Sequence, residues 1–143
     1  NIATAHKNCI RKALENDLYR VVIMEDDVMF SAPGAYNEFL RLSELLPENW
    51  DVFIGGSYSY KGKINSPITV LEWFTGLQCY MVSKRYYQKM LLLAENRNID
   101  RQIKGAVFMS YPMLALQHYT KSDNTGKKID FNNVYKNKIK LWK

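Results

Sequence analysis

Apolar positions in this chain alternate between short continuous runs and stretches with helical spacing. Ile2, Ala5, Cys9, Ile10, Ala13 and Leu14 recur every three or four residues, and "ENDLY" breaks that pattern before Val21, Val22, Ile23 and Met24. The order predicted is helix, then buried strand. In "SAPGAYNEFLRLSELLPENW", Tyr36, Phe39, Leu40 and Leu46 fall at helical intervals, and Pro47 stops the helix because it has no N–H to donate. "WDVFIGG" predicts a short strand ending in two glycines. "SYSYKGKINSPITVLEWF" alternates around turn residues Lys61, Gly62 and Asn65, which predicts a hairpin or an excursion at the sheet rim. "GLQCYMV" reads as the next buried strand. Ser83 is placed to cap a helix with core face Tyr87, Met90, Leu91 and Ala94, and "NIDRQIKGAV" starts a short helix with Asp100 in its first turn. "FMSYPMLALQ" is a broken apolar run, and from His118 onward the chain is polar and lysine-rich. Strands separated by helices predict an α/β sandwich with a mostly parallel sheet, a single domain over 1–143 with a basic tail from about 119.

Composition narrows this picture. At 143 residues and 47% hydrophobic positions, one domain with a real core is expected. The formal net charge of +6 and pI of about 9.3 point to anionic partners, and sign alone does not choose among nucleotides, phospholipid surfaces and nucleic acids. Cys9 and Cys79 lie far apart in apolar contexts and are expected as buried thiols, compatible with a reducing compartment. No stretch approaches the roughly 18 apolar residues of a membrane span, and "NIATAHKNC" lacks the blocks of a signal peptide, so a cytoplasmic location is expected.

Candidate chemistry begins with Glu25, Asp26 and Asp27, three carboxylates placed directly after the first strand. Their mutual repulsion is costly unless a cation offsets it, and ligands of open α/β sheets bind beyond the carboxyl ends of strands. A divalent metal or a cationic partner is the first candidate. The plainer reading of the same residues is a solvated acidic turn.

Read in order, the chain runs from a helix with "TAH" through a strand into "EDDV", a strand into "GG", "FTGLQCYMVSKRYYQKML", "NIDRQI" and "YPMLALQHYTKSD". This resembles glycosyltransferase family 25, the lipopolysaccharide-type glycosyltransferases. Members of that family run from a Ser-His helix through a Leu-Glu-Asp-Asp loop to a Gly-rich strand, a Ser-Lys helix, an Asp-started helix and a Pro–Gln–Ser–Asp segment. The resemblance implies a GT-A-like α/β/α sandwich. It also implies transfer of a sugar from a nucleotide-diphosphate donor, expected to be UDP-linked, to a glycan or lipid-linked glycan hydroxyl. A divalent metal, expected to be Mn2+, and an inverting outcome go with it.

Carried onto this chain, the resemblance makes Asp27 the leading metal ligand, with Glu25 and Asp26 positioning the metal, its waters or the ribose of the donor. His118, next to Gln117, is a candidate second ligand, or else a surface histidine beside Tyr119. His6 is preceded by Ala5 where the family has Ser, a departure that favours a structural role such as bonding the acidic loop. Asp100 matches the family's helix-opening Asp and is the candidate base; a helix dipole favours a carboxylate there, which equally fits a plain helix-start residue. Trp73, Gly76 and Gln117 are the acceptor-binding candidates, Trp73 because an aromatic face stacks on sugar C–H surfaces.

From Lys121 to Lys143 the tail carries seven lysines against two aspartates. It is either a solvated tail, a cover for the diphosphate, or a peripheral contact with anionic membrane. Two other functions fit the same residues: a non-catalytic binding module descended from a transferase, and a metal-dependent nuclease or nucleotidyltransferase, which lacks here a second acidic motif with an adjacent lysine. No nucleic-acid partner is expected. Family members place an apolar strand and a helix ahead of the His-containing helix, which here starts at residue 2. The strand Val21–Met24, expected to be central, would then lack a neighbour, and weak base binding and a symmetric homodimer covering the bare edge are expected.

Overall fold

The computed structural model describes residues 1–117 and the backbone of 120–121 and 128–129. Its elements are α1 (Ile2–Glu15), β1 (Arg20–Met24), β2 (Val28–Phe30), α2 (Ala35–Ser43), β3 (Val52–Ile54), β4 (Ser59–Lys61), β5 (Ile68–Leu71), β6 (Trp73–Thr75), β7 (Cys79–Ser83), α3 (Tyr87–Leu91), β8 (Val107–Ser110), β9 (Ala115–Gln117), β10 (Thr120–Lys121) and β11 (Lys128–Ile129). His118 and most of the basic tail lie outside the described residues, as do the roles expected of them. Among the described residues no helix is long and apolar enough to cross a membrane.

The chain is a mixed α/β domain. Five strands form the main sheet in the order β1-β7-β3-β8-β5, and only β3 and β8 are parallel. The other three pairs are antiparallel, so the sheet is mainly antiparallel and the expected mostly parallel arrangement is wrong. The reason is the rim excursion. After β3 the chain makes β4, β5 and β6 with no crossover helix, then turns at Gly76 and re-enters the sheet at the end where β1 and β3 leave it. Accordingly Met24 lies opposite Cys79 and Ile54 opposite Tyr80. A strand entering from that end can only run against its neighbours. The excursion itself is as expected: β4 pairs with β6, while β5 joins the main sheet beyond β8.

β1 lacks a neighbour on one side, as expected: it is an edge strand, paired among the described residues with β7 alone.

Side-chain alternation distributes the core to both faces of the sheet. Val52, Ile54, Tyr80 and Val82 pack with Ile10, Ala13, Tyr87 and Met90 from α1 and α3. Phe53, Cys79, Met81 and Phe108 pack with Ala35, Phe39 and Leu42 from α2 on the opposite face. Phe39 and Phe53 stack there with ring centroids 4.6 Å apart. On α1 the buried stripe is Ala3, His6, Ile10 and Ala13, which turns Cys9 outward; the expectation of a buried Cys9 thiol therefore fails, whereas Cys79 is buried and its thiol is pushed up to about 12 by burial.

Gly55 and Gly56 explain why β3 ends where it does. The amides of Leu114 and Ala115 both donate to Gly55 O, at 2.8 and 3.1 Å, so the lead-in to β9 lies directly on the two glycines. A Cβ at Gly56 would fall 2.3 Å from Ala115 O, and one at Gly55 would fall 2.8 Å from Ala115 Cβ. The first neighbour is backbone and has little freedom to yield. Gly56→Ala is therefore expected to lower unfolding stability by about 1–3 kcal/mol, the usual range for overpacking. A urea midpoint equal to that of the parent chain would contradict this close approach.

Candidate functional site

The acidic loop leaves the C-terminal end of β1, with the Glu25 amide donating to Gln78 O at 3.0 Å and the Val28 amide closing the turn onto Glu25 O at 3.2 Å. β2 then pairs with β9, placing Val28 opposite Gln117. This register carries the Gln117 side chain to Asp27, where Nε2 donates to Oδ2 at 2.6 Å. The other oxygen, Oδ1, is buried and has no hydrogen-bond partner among the described residues. A buried carboxylate oxygen left unpaired is costly unless a cation or donor completes it.

Glu25 faces α1. Its Oε1 lies 3.7 Å from His6 Nε2, and His6 Nδ1 is 2.7 Å from the hydroxyl of Tyr80 on β7. Burial lowers the His6 pKa against an opposing pull from Asp100, and burial raises that of Tyr80 well above its ordinary value, so the pair is neutral near pH 7. Nδ1 is thus bonded to Tyr80, and Nε2 is the ring nitrogen turned toward Glu25. Desolvation, followed by the charges of Asp27, Asp26 and Asp100, raises the Glu25 pKa to about 7. Glu25 therefore senses carboxylates that come from two distant segments of the chain.

Asp100 reaches this cluster by a route the sequence did not indicate. The segment it opens is only a three-residue 3-10 turn, Asp100–Gln102, too short to supply a helix dipole, so that part of the expectation is corrected. Asp100 is instead held by backbone: Oδ2 accepts from the Gly76 amide at 2.8 Å and Oδ1 from the Arg101 amide at 2.9 Å. Gly76 has φ +96, and a Cβ there would meet Gln78 Oε1 at 2.7 Å, so this position takes glycine for conformation as well as space.

Of the residues singled out in the sequence, Glu25, Asp26, Asp27, Asp100, Gly76 and Gln117 come together at this end of the sheet, with Asp26 solvent-exposed. Gln117 contacts the candidate metal ligand and Gly76 the candidate base, which gives both a positioning role. Trp73 stands apart on β6, and His118 lies outside the described residues. Tyr80, which holds His6, was missed; the signal was a tyrosine inside an otherwise buried strand, whose hydroxyl needs a partner.

Among the described residues no three His, Cys, Asp or Glu side chains converge as a ready-made metal cage. Any divalent ion here would therefore have to take most of its ligands from substrate phosphates and water. Asp27 Oδ1 is the atom available for it. No family model matches this chain, and no curated protein matches it.

Glu25 gives a pH test. Its folded-state pKa of about 7 lies above the ordinary 4.5, so the native chain holds a proton that the unfolded chain releases between those values. Its stabilising contribution is thus complete below about pH 4.5 and is lost as pH rises through about 7. The lowered His6 pKa acts in the opposite sense, its contribution being lost as pH falls. Glu25→Gln removes the first effect, so urea unfolding is expected to show the variant gaining stability relative to the parent chain as pH rises through neutrality. A difference independent of pH contradicts the burial of Glu25 beside the other carboxylates.

Proposed function

We propose that this domain is a metal-dependent glycosyltransferase moving a sugar from a nucleotide-diphosphate sugar, UDP-linked, to a glycan hydroxyl with inversion. The observation that carries the reading is Asp27, fixed through one oxygen by Gln117 and left with a buried second oxygen that has no partner among the described residues. The order of motifs along the chain supports the same reading. A divalent ion bound there supplies Lewis acidity toward the charge accumulating on the departing diphosphate.

The chain's own residues do the rest. Gln117 fixes the orientation of the Asp27 carboxylate. His6, held by Tyr80, orients Glu25, which borders the space for the metal's waters or the donor ribose. Each Asp100 oxygen has one backbone N–H bond and retains a lone pair for the proton of the acceptor hydroxyl. As the acceptor oxygen bonds to the anomeric carbon, the bond from that carbon to the diphosphate oxygen breaks, its electron pair leaves with the diphosphate, and the proton goes to Asp100.

One observation favours a second reading, a nucleotide-binding module without transfer: both Asp100 oxygens already brace backbone amides, as a purely structural aspartate would.

Calorimetry with UDP, with and without Mn2+, tests the first element of the proposal. Binding is expected to require the metal and to vanish in Asp27→Ala while the fold persists; metal-independent binding, or unchanged metal dependence in the variant, overturns it. Asp100→Asn separates the two readings. Retained nucleotide binding with turnover lowered about 100-fold or more is expected from loss of a base, and unchanged turnover returns Asp100 to a bracing role.

A further inference from the structure

An open groove of about 570 Å3 lies outside the acidic cluster, lined by Lys61, Gly62, Lys63, Asn65, Val70 and Glu72. Its walls are built by backbone contacts. The Asn65 amide donates to Thr69 Oγ1 at 3.0 Å, and that hydroxyl donates to Asn65 O at 2.7 Å, folding the loop onto β5. A Cβ at Gly62 would fall 2.4 Å from Val70 O, so the loop approaches β5 as closely as only glycine permits. Apolar surface remains uncovered at this groove and beside it: Val70 is 62% exposed, Ile64 52% and Trp73 43%. Lys61 pairs with Glu72 at 3.1 Å, and Lys63 makes no hydrogen bond or ion pair among the described residues, leaving the groove net positive.

The ribbon of β4 and β6 connects this groove to the candidate base. Lys61 lies opposite Trp73 and Ser59 opposite Thr75, and the residue after Thr75 is Gly76, whose amide holds Asp100. Trp73 is therefore about 10 Å along the ribbon from Gly76 at the usual rise of a strand. A short oligosaccharide covers that span.

We propose that the groove binds the acceptor, and that the acceptor is an acidic oligosaccharide whose reacting hydroxyl lies at Asp100 while an anionic sugar farther along reaches Lys63 and a neighbouring ring stacks on Trp73. This rests on the transferase reading. Lys63 supplies the charge-assisted contact, carboxylate and phosphate being equivalent chemistry for an ammonium group. Trp73 supplies the apolar face.

The test is an NMR titration of the chain at low salt with tetragalacturonate, a pentamannose bearing a terminal phosphate, and neutral maltotetraose. At least one acidic sugar is expected to bind about tenfold or more tightly than maltotetraose, in line with one charged hydrogen bond. The shifted amides are expected at residues 61–65, 70 and 73, and the acidic sugar that binds better identifies carboxylate or phosphate. Lys63→Glu should abolish the preference, and Trp73→Ala should weaken all three sugars. Equal binding of acidic and neutral sugars, shifts confined elsewhere, or no binding overturns the proposal. Binding of phosphatidylglycerol vesicles through these lysines without oligosaccharide binding also overturns it, in favour of a lipid surface. UDP with Mn2+ is titrated into the same samples. Oligosaccharide bound at the groove without nucleotide binding keeps the groove and removes the transferase; nucleotide binding with an unresponsive groove removes only the groove.

Discussion

Two glycines and the strand that crosses them set the geometry of the candidate site. β3 ends at Gly55 and Gly56, and because neither has a Cβ, the backbone leading to β9 can lie on them with two amides bonded to Gly55 O. β9 then pairs with β2 in a register that brings Gln117 to Asp27. Moving β9 away would separate Gln117 from Asp27, and the Asp27 carboxylate would lose the hydrogen bond that orients it. The chemistry at the end of β1 is thus held by a packing constraint at the end of a different strand.

Electrostatics makes the same end of the sheet unfavourable on its own. Burial keeps His6 neutral, and burial of Glu25, reinforced by the charges of Asp27, Asp26 and Asp100, holds Glu25 partly protonated near neutral pH. A domain with a formal charge of +6 nevertheless concentrates carboxylates at one point. Under the proposed function, a divalent ion bound there would offset the repulsion and release the extra proton. The positive groove beyond Trp73 has the opposite character, and the β4–β6 ribbon joins the two.

Local patterns in the sequence reported elements well and their assembly less well. α1, β1, α2 and β3 follow from spacing, Pro47 and the paired glycines, and the rim excursion follows from the turn residues around Gly62. Strand direction was not legible, since "GLQCYMV" has the same alternation whichever way it runs; β7 is antiparallel because the excursion ahead of it contains no crossover helix. The buried face of α1 was misread at Ile2, Ala5 and Cys9, all exposed, because His6 and Lys7 occupy buried positions that polarity alone assigns to solvent. At the site, the acidic triplet was visible as a run of charges and Asp100 as a candidate. The bonds that organise them join residues 24 to 90 apart, Gly76 to Asp100 and Gln117 to Asp27, and no local pattern encodes such pairs.

The central claim is that a divalent ion sits at Asp27 Oδ1, between the β1 loop and β9. Paramagnetic broadening of backbone amide signals by substoichiometric Mn2+, added with UDP, measures its position directly. Signals of residues 25–28 and Gln117 are predicted to disappear first, with Gly76 and Asp100 following and the groove near Lys63 the least affected of these. Broadening centred away from Asp27, or uniform broadening over the exposed acidic residues, would contradict the account.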